Sequence, residues 1–192
     1  MPNANTAALD FLKTRRSRPF KTLTTPLPNR EEVMNLLTIA ARSPDHGKLV
    51  PWRFIVLDKA ALNALVPDIT ARAQAAGRSP TQVRMATTQY ETGNLAVAVI
   101  EVQQPSEHIP PFEQTLSAGA VCLALLNAAH AAGWGANWLS GWASHDRGFM
   151  AEGLGLSDNE RVAGIIHIGT ETTVPEDRPR PDVESITTWK SA

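Results

Sequence analysis

Residues 41–54 read ARSPDHGKLVPWRF, and this stretch joins two elements with different sequence patterns. Before it, the segment from Asn29 to Arg42 begins with a capping-box pattern and repeats apolar residues on one face, so we predict a helix that Pro44 ends. After it, the short apolar run from Arg53 to Leu57 is typical of a strand. A loop fixed by two prolines between a capped helix and a buried strand is a suitable support for side chains that orient a ligand.

The same patterns extend along the rest of the chain. They predict a short N-terminal helix with Leu9 and Leu12 facing the core, and helical material from Asp58 to Ala76 that breaks at Pro67. They also predict strands at 95–102, 135–139 and 161–168, a long helix from 113 to 132 closed by a glycine, and a short helix from 144 to 153. The remaining segment, Thr170 to Ala192, contains three prolines and cannot form one continuous helix. This order of elements predicts a layered α/β or α+β domain.

Composition restricts the class of protein and the kinds of partner. A chain of 192 residues with 43% hydrophobic residues can bury a substantial core. Its net charge of −1 argues against general binding to nucleic acid or to anionic membranes, although residues 1–53 hold nine basic and four acidic residues and favour a local anion site. The lone Cys122 lies in an apolar run, and no secretory signal or membrane-span pattern occurs. We therefore expect a cytoplasmic protein.

The common cofactor and catalytic motifs are absent from the sequence. There is no G-x-G-x-x-G, G-x-S-x-G, H-E-x-x-H or C-x-x-C, and His46-Gly47-Lys48 does not complete a P-loop because Arg42 occupies the position of the first glycine. His145 and Asp146 resemble a metal-binding pair, but no further ligands follow at helical spacing. The sequence thus predicts no metal site.

Two segments outside the loop carry residue types that bind a charged, planar ligand. Arg15, Arg16, Ser17 and Arg18 could surround a phosphate with charge-assisted hydrogen bonds, or could form a solvated basic turn. The segment from Gly133 to Trp142 combines small residues, which allow close backbone approach, with three tryptophans, which provide flat apolar surface. The second pattern is typical of a wall against a planar ring.

The residues of the loop have structural as well as functional interpretations. Trp52 and Phe54 could be core residues, and Arg42 or His46 could interact with the carbonyl end of the preceding helix. Glu113 could line the mouth of a site, or could be a first-turn carboxylate that only complements its own helix dipole. Sequence alone leaves these alternatives open.

Together, the three segments resemble the FMN-dependent nitroreductase family, and most closely its minimal branch. The family's R-R-S signature is matched at Arg15 to Ser17, and its A-x-(S/A)-P-loop-P-W segment is matched at Ala41 to Trp52. The P-D-H variant of the minimal branch is matched at Pro44 to His46, and the segments 117–120 and 133–141 are also similar. The resemblance covers nearly the whole chain.

This resemblance implies an α+β fold, an α/β/α sandwich with a mixed, mainly antiparallel central sheet, in which two chains interlock as a homodimer with FMN at the interface. It implies a single nitroreductase-like domain over residues 1–192, with residues 170–192 as a C-terminal extension that packs on the partner chain. It assigns no catalytic side chain, because the flavin carries the chemistry. The FMN-binding residues that it implies are Arg15, Arg16, Ser17, Arg42, His46, Trp138, Leu139, Ser140, Arg178 and Arg180.

The resemblance also implies an enzyme that uses NADH or NADPH to reduce FMN and then reduces a flat small-molecule acceptor, such as a nitroaromatic or a quinone, by a ping-pong mechanism. The alternative is a non-catalytic module that stores FMN or senses redox state. Lys48 and Val50 stand where many relatives have Asn and Gln, so the donor preference, the acceptor and the orientation of Lys48 do not follow from the sequence. For Arg178 and Arg180, a solvated Arg-Pro-Arg turn is the alternative to phosphate binding.

Overall fold

The fold is organised around one five-stranded sheet in the computed structural model, which describes residues 3–191. The helices are α1 (Thr6–Thr14), α2 (Arg30–Ala40), α3 (Lys59–Ala75), α4 (Pro80–Thr92) and α5 (Pro111–Ala131). The strands are β1 (Leu23–Thr24), β2 (Trp52–Asp58), β3 (Leu95–Val102), β4 (Gly135–Leu139) and β5 (Glu160–Glu171). The predicted strands at 95–102 and 135–139 are confirmed at both ends.

Strand β5 connects most of the sheet. It pairs with β3 from Glu160 to His167, with β4 from Ile165 to Gly169, and with β1 at Thr170 and Glu171, while β2 pairs with the other edge of β3. Each of these pairings is antiparallel, as expected for a mainly antiparallel sheet, and no parallel pair occurs among residues 3–191 of the one chain.

The side chains of β3 divide the core between the two faces of the sheet. Leu95, Val97 and Val99 pack with buried residues of α2 and α5, whereas the alternate residues from Ala96 to Ile100 pack with α3 and α4. Because successive strand residues point to opposite faces, one apolar strand supports both helical layers. The expected α/β/α sandwich is confirmed.

Helix α3 is continuous, so the predicted break at Pro67 is wrong. The proline removes one N–H from the helix ladder, but it lies on the exposed side, where water can satisfy the freed carbonyl of Asn63. Leu62 and Ile69, on the inner side, are fully buried and anchor the helix on either side of the proline. The packing of Leu62 and Ile69 therefore outweighs the tendency of Pro67 to break the helix.

Two other segments of the structure differ from the prediction. The expected short helix at 144–153 consists of a 3₁₀ turn, Trp142–His145, and a π-helical turn, Phe149–Gly153. Helix α4 was not predicted at all, although Ser79 and Gln82 form a complete capping box at its start. Its buried face includes the polar residues Thr87 and Gln89, so hydrophobic periodicity does not reveal it.

Helix α1 lies on the outside of the molecule, and the prediction that Leu9 and Leu12 face the core is wrong. They are 47% and 57% exposed, and α1 has no buried residue. Residues 172–191 contain no helix or strand, and four of their apolar side chains, Val174, Val183, Ile186 and Trp189, are exposed. Both chain ends therefore expose apolar residues.

The single cysteine lies deep in the core. Cys122 is fully buried in α5, and burial raises the pKa of its thiol to about 12. The thiol is therefore protonated and packs as a small apolar group. Within residues 3–191, no helix is both long enough and apolar enough to span a membrane.

Candidate functional site

The basic segment after α1 meets β4 at a cavity of about 520 Å³. Its lining is Arg15, Arg16, Ser17, Leu123, Leu126, Asn137, Trp138, Leu139, Ser140, Arg178 and Arg180. All the residues that the family resemblance selected, except Arg42 and His46, therefore lie around one space. We call it the basic cavity.

One backbone and one side-chain hydrogen bond join the basic segment to β4. The N–H of Arg18 donates to the Ala136 carbonyl at 2.8 Å, and the Asn137 side-chain amide donates to the Arg18 carbonyl at 2.6 Å. Arg15 caps the C-terminal end of α1, with its N–H donating to the Phe11 carbonyl. These bonds hold the two sequence segments together, although more than a hundred residues separate them.

Four guanidinium groups gather at this cavity. Burial, followed by repulsion from Arg180, Arg178 and Arg16, lowers the pKa of Arg15. The Arg15 Nε is buried and has no hydrogen-bond partner among residues 3–191. Asp177 is the one carboxylate that pairs with these four guanidinium groups among residues 3–191, so net positive charge remains around the buried donor, which is unfavourable without a further anion. The arrangement therefore fits a ligand that carries a phosphate or another compact anion.

The C-terminal segment contributes to the same cluster. Arg16 Nε donates to the Glu176 carbonyl at 2.9 Å, and Arg180 Nη2 donates to Asp177 Oδ1 at 2.5 Å. The hydrogen bond from Arg180 also lowers the pKa of Asp177. Arg178 and Arg180 therefore line the basic cavity while remaining exposed, so phosphate binding by this pair, with a solvated Arg-Pro-Arg turn as its alternative, stays a prediction.

The other side of the basic cavity is largely apolar. Trp138 is 37% exposed and lies against β5 at Gly164, where an added Cβ would come within 2.2 Å of the indole Nε1. Gly164 thus makes room for the indole to lie on the sheet. Leu123 and Leu126 of α5 complete this wall. A basic end and a flat apolar wall together suit a planar ligand with an anionic tail.

Some residues at this site were not identified from the sequence. Asn137, Leu123 and Leu126 line the cavity, and the Ser140 hydroxyl lies 3.2 Å from His145 Nε2. The two leucines are separated by one helical turn, but helix α5 is so apolar that this spacing does not distinguish them from core residues. Neither His145 nor Asp146 belongs to a metal-binding group among residues 3–191.

The loop after α2 forms a separate site. His46 lines a cavity of about 430 Å³ with Pro44, Asp45, Glu113, Leu116 and Ser117, whereas Arg42 is exposed and lines neither cavity. His46 Nδ1 lies 2.7 Å from Glu113 Oε2, so His46 interacts with α5 rather than capping α2. We call this second space the loop cavity.

The alternative interpretation of the loop's two aromatic residues holds. Trp52 is buried in the core between the sheet and helices α2 and α5, and Phe54 packs against that core. Neither residue lines the basic cavity or the loop cavity. These aromatic residues therefore belong to the core that supports the loop.

Helix α5 connects the two cavities. Ser117 belongs to the loop cavity and Leu123 to the basic cavity, and the helical rise between them is about 9 Å. Phe112, Leu116 and Leu123 share one face of α5 and are 62%, 65% and 45% exposed. This exposed apolar stripe passes both cavities.

Comparison with known proteins agrees with the geometry. The model of the Nitroreductase family matches residues 12–170. A Haemophilus influenzae protein named putative NAD(P)H nitroreductase is 33% identical over 165 residues, covering 85% of this chain and 88% of the relative. The Bacillus cereus nitroreductase-like family protein has a TM-score of 0.81 at 22% identity, covering 100% of both chains. A Desulfovibrio desulfuricans structure, described as a putative nitroreductase in complex with FMN, has a TM-score of 0.75 at 18% identity, also covering 100% of both chains.

Proposed function

Because the chain belongs to the nitroreductase family, we propose that it is an FMN-dependent oxidoreductase that takes electrons from NADH or NADPH and passes them to flat acceptors. The observation that carries this proposal is the buried, unpartnered Arg15 Nε among four guanidinium groups, next to the apolar wall at Trp138. The name of the Haemophilus influenzae relative and the FMN complex of the Desulfovibrio desulfuricans protein support the same assignment.

The residues of the basic cavity fit FMN better than a dinucleotide. Arg15, Arg16, Arg178 and Arg180 would hold one terminal phosphate, while Ser17 would bind the phosphate or the ribityl chain. Trp138, Leu139 and Ser140 would lie against the ring. FMN, when bound, supplies the hydride chemistry, and the protein supplies position and electrostatics.

We further propose that two chains form a homodimer across the exposed face of α5. The stripe formed by Phe112, Leu116 and Leu123 is apolar and adjoins both cavities, so a second chain on this stripe would bury it and enclose them. Arg42 and His46, which lie outside the basic cavity of their own chain, would then contact the flavin of the partner. The exposed apolar residues of the tail support packing of residues 170–192 on that partner.

The acceptor would share the site with the nicotinamide donor. The chain has no dinucleotide fingerprint on which NAD(P)H could remain bound while an acceptor reacts, so the two substrates would alternate in a ping-pong mechanism. Nitroaromatics and quinones are flat enough to stack on the mainly apolar wall. The buried lone cysteine fits a reducing compartment, and we place the protein in the cytoplasm.

Visible absorption of the purified protein tests the cofactor. We expect a bound flavin that denaturation releases as FMN, and a protein that neither contains FMN nor takes it up would refute the proposal. Anaerobic mixing with NADH or NADPH tests catalysis, because an enzyme's flavin is bleached and then reoxidised by menadione. A flavin that neither donor bleaches would favour the storage or redox-sensing alternative. Intersecting double-reciprocal lines would refute ping-pong kinetics alone.

A further inference from the structure

The pair formed by His46 and Glu113 is not explained by helix capping. Glu113 lies in the first turn of α5, but this helix has no side-chain capping bond at its N-terminus. The Glu113 carboxylate instead lies 2.7 Å from His46 Nδ1, across 67 residues of sequence. The His46 side chain is 63% exposed and Glu113 is 34% exposed, so the pair faces the loop cavity and solvent.

The backbone around His46 is held in an unfavourable conformation. Gly47, Lys48 and Val50 all have positive φ, at 74°, 56° and 48°, and a β-branched residue such as Val50 rarely adopts this region. Asp45 Oδ2 accepts a hydrogen bond from the Val50 N–H at 2.9 Å and stabilises this path. Backbone strain of this kind persists where the surrounding structure fixes it, often at functional sites. This loop places His46 opposite the first turn of α5.

A carboxylate beside Nδ1 determines which imidazole nitrogen is available for chemistry. Glu113 is an acceptor, so His46 donates its Nδ1–H to Oε2, and Nε2 is the ring nitrogen that this bond leaves available in a side chain that lines the loop cavity. Such an arrangement fixes both the ring orientation and the tautomer of a histidine. His46 can then release and regain a proton at Nε2 while Nδ1 keeps its own.

Reduction of a quinone or nitro group needs such a proton. A quinone gains two electrons and two protons; a hydride brings both electrons and one of the protons, and the other must come from an acid or from water. The hydride comes from the activity proposed above, on which this inference rests. We propose that, across the dimer proposed above, His46 donates this remaining proton from Nε2 to the oxygen of an acceptor at the partner's flavin, and that Glu113 is the positioning residue that holds the Nδ1 proton. Nε2 then regains a proton from water that reaches the loop cavity.

The tautomer of His46 can be tested without flavin. In ¹⁵N-histidine-labelled apoprotein at a pH where His46 is neutral, long-range ¹H–¹⁵N correlation spectra should show mainly the Nδ1–H form. Glu113→Ala should shift His46 towards the Nε2–H form, and Glu113→Asp, which keeps a carboxylate, should retain part of the Nδ1–H population. Glu31→Ala removes an exposed first-turn carboxylate from α2 and is the matched control, with no expected shift. An unchanged His46 tautomer in Glu113→Ala would overturn the positioning role.

The flavin-loaded protein tests proton delivery. After anaerobic reduction, Glu113→Ala should be reoxidised by menadione about tenfold more slowly than the wild-type protein, which is less than the roughly 10²- to 10⁴-fold contribution of a general acid because His46 itself remains. Its reoxidation by ferricyanide, which takes up electrons without a proton, should be unchanged. In His46→Gln, the menadione rate relative to that variant's own ferricyanide rate should fall at least as much. Equal slowing with both oxidants, or no slowing with menadione, would overturn the role of His46 as proton donor. A protein that binds no flavin refutes the proposed function and this proton step, whereas the tautomer experiment still decides the role of Glu113.

Discussion

The two faces of the sheet differ in how completely one chain covers them. Between the sheet and helices α3 and α4, Leu62, Ile69 and Tyr90 are fully buried, and Met85 is the large hydrophobic residue that the two helices leave exposed among residues 3–191. The other face also has a buried core, but helices α1, α2 and α5 expose Leu9, Leu12, Met34, Ile39, Phe112, Leu116 and Leu123. The basic cavity and the loop cavity both border this second face. Incomplete packing and candidate function therefore coincide.

Truncating one leucine on each face of the sheet should give the largest difference in effect, because one leucine fills the core and the other lies on the proposed dimer interface. Leu62→Ala, in the closed core, should lower the free energy of unfolding by about 2–5 kcal/mol because it leaves a cavity. Leu116→Ala should change the stability of the monomer by less than about 0.5 kcal/mol, since the side chain is 65% exposed. Urea unfolding and analytical ultracentrifugation measure the two effects. A dimer of undiminished affinity in Leu116→Ala would argue against the α5 stripe as the interface.

The face of the sheet that α3 and α4 cover, which we call the closed face, should also make stability dependent on pH. Burial lowers the pKa of His167 to about 4, and its Nδ1 has no hydrogen-bond partner among the described residues. The unfolded chain therefore binds a proton near pH 6.5 that the folded chain resists, and stability falls by about 3 kcal/mol as the pH drops from 6.5 to 4. His130, whose pKa burial also lowers, acts in the same direction. Urea unfolding at several pH values should show a shallower fall for His167→Gln, and parallel curves would contradict this assignment.

On the opposite face, which we call the open face, substitutions at the basic cavity test how strongly single arginines contribute to FMN binding. Arg15→Ala should weaken FMN binding by about 1.5–3 kcal/mol, roughly 10- to 150-fold, because a buried charge-assisted donor is lost. Arg30→Ala removes an exposed arginine at the start of α2 and should leave the FMN dissociation constant unchanged. Fluorescence titration of apoprotein with FMN measures both. A change of less than twofold in the FMN dissociation constant of Arg15→Ala would indicate that Arg15 has a structural role and does not bind the phosphate.

The smallest effect is expected at the tail. Arg178→Ala and Arg180→Ala should each weaken FMN binding only about two- to fivefold, because exposed ion pairs contribute at most about 1 kcal/mol. Their loss should be more evident at low ionic strength, where screening is weaker. The same titration at two salt concentrations tests this. An effect larger than that of Arg15→Ala would mean that the tail, rather than the segment after α1, is the main phosphate site.

Much of the fold could be predicted because the core elements repeat apolar residues at clear periods. Strands β3 and β4 are short apolar runs, and α2 begins at a complete capping box. Helix α4 could not be found in this way, since the buried pair formed by Gln89 and His167 replaces apolar contacts on its inner side. Helix α1 was misplaced because its leucine spacing does not indicate whether the helix covers its own chain or another.

Part of the candidate site could also be predicted, because its residue types stand out in the sequence. Residue types identified the basic segment and the tryptophan segment, and the structure brings both to one cavity with Arg178 and Arg180. The position of His46 and its bond to Glu113 depend on a loop with three left-handed residues, two of which are not glycine. Sequence spacing cannot specify such a path. It therefore could not show that the loop lies apart from the basic cavity.

The buried thiol of Cys122 has a practical consequence. A chain whose only cysteine is buried and protonated should not react with maleimides at neutral pH, so it provides a background for site-specific labelling. A single new cysteine at an exposed position of α4, such as Met85→Cys, would accept one nitroxide or fluorophore per chain. Pulsed electron paramagnetic resonance between two nitroxide labels would then measure the distance between the closed faces of two associated chains, with and without ligand.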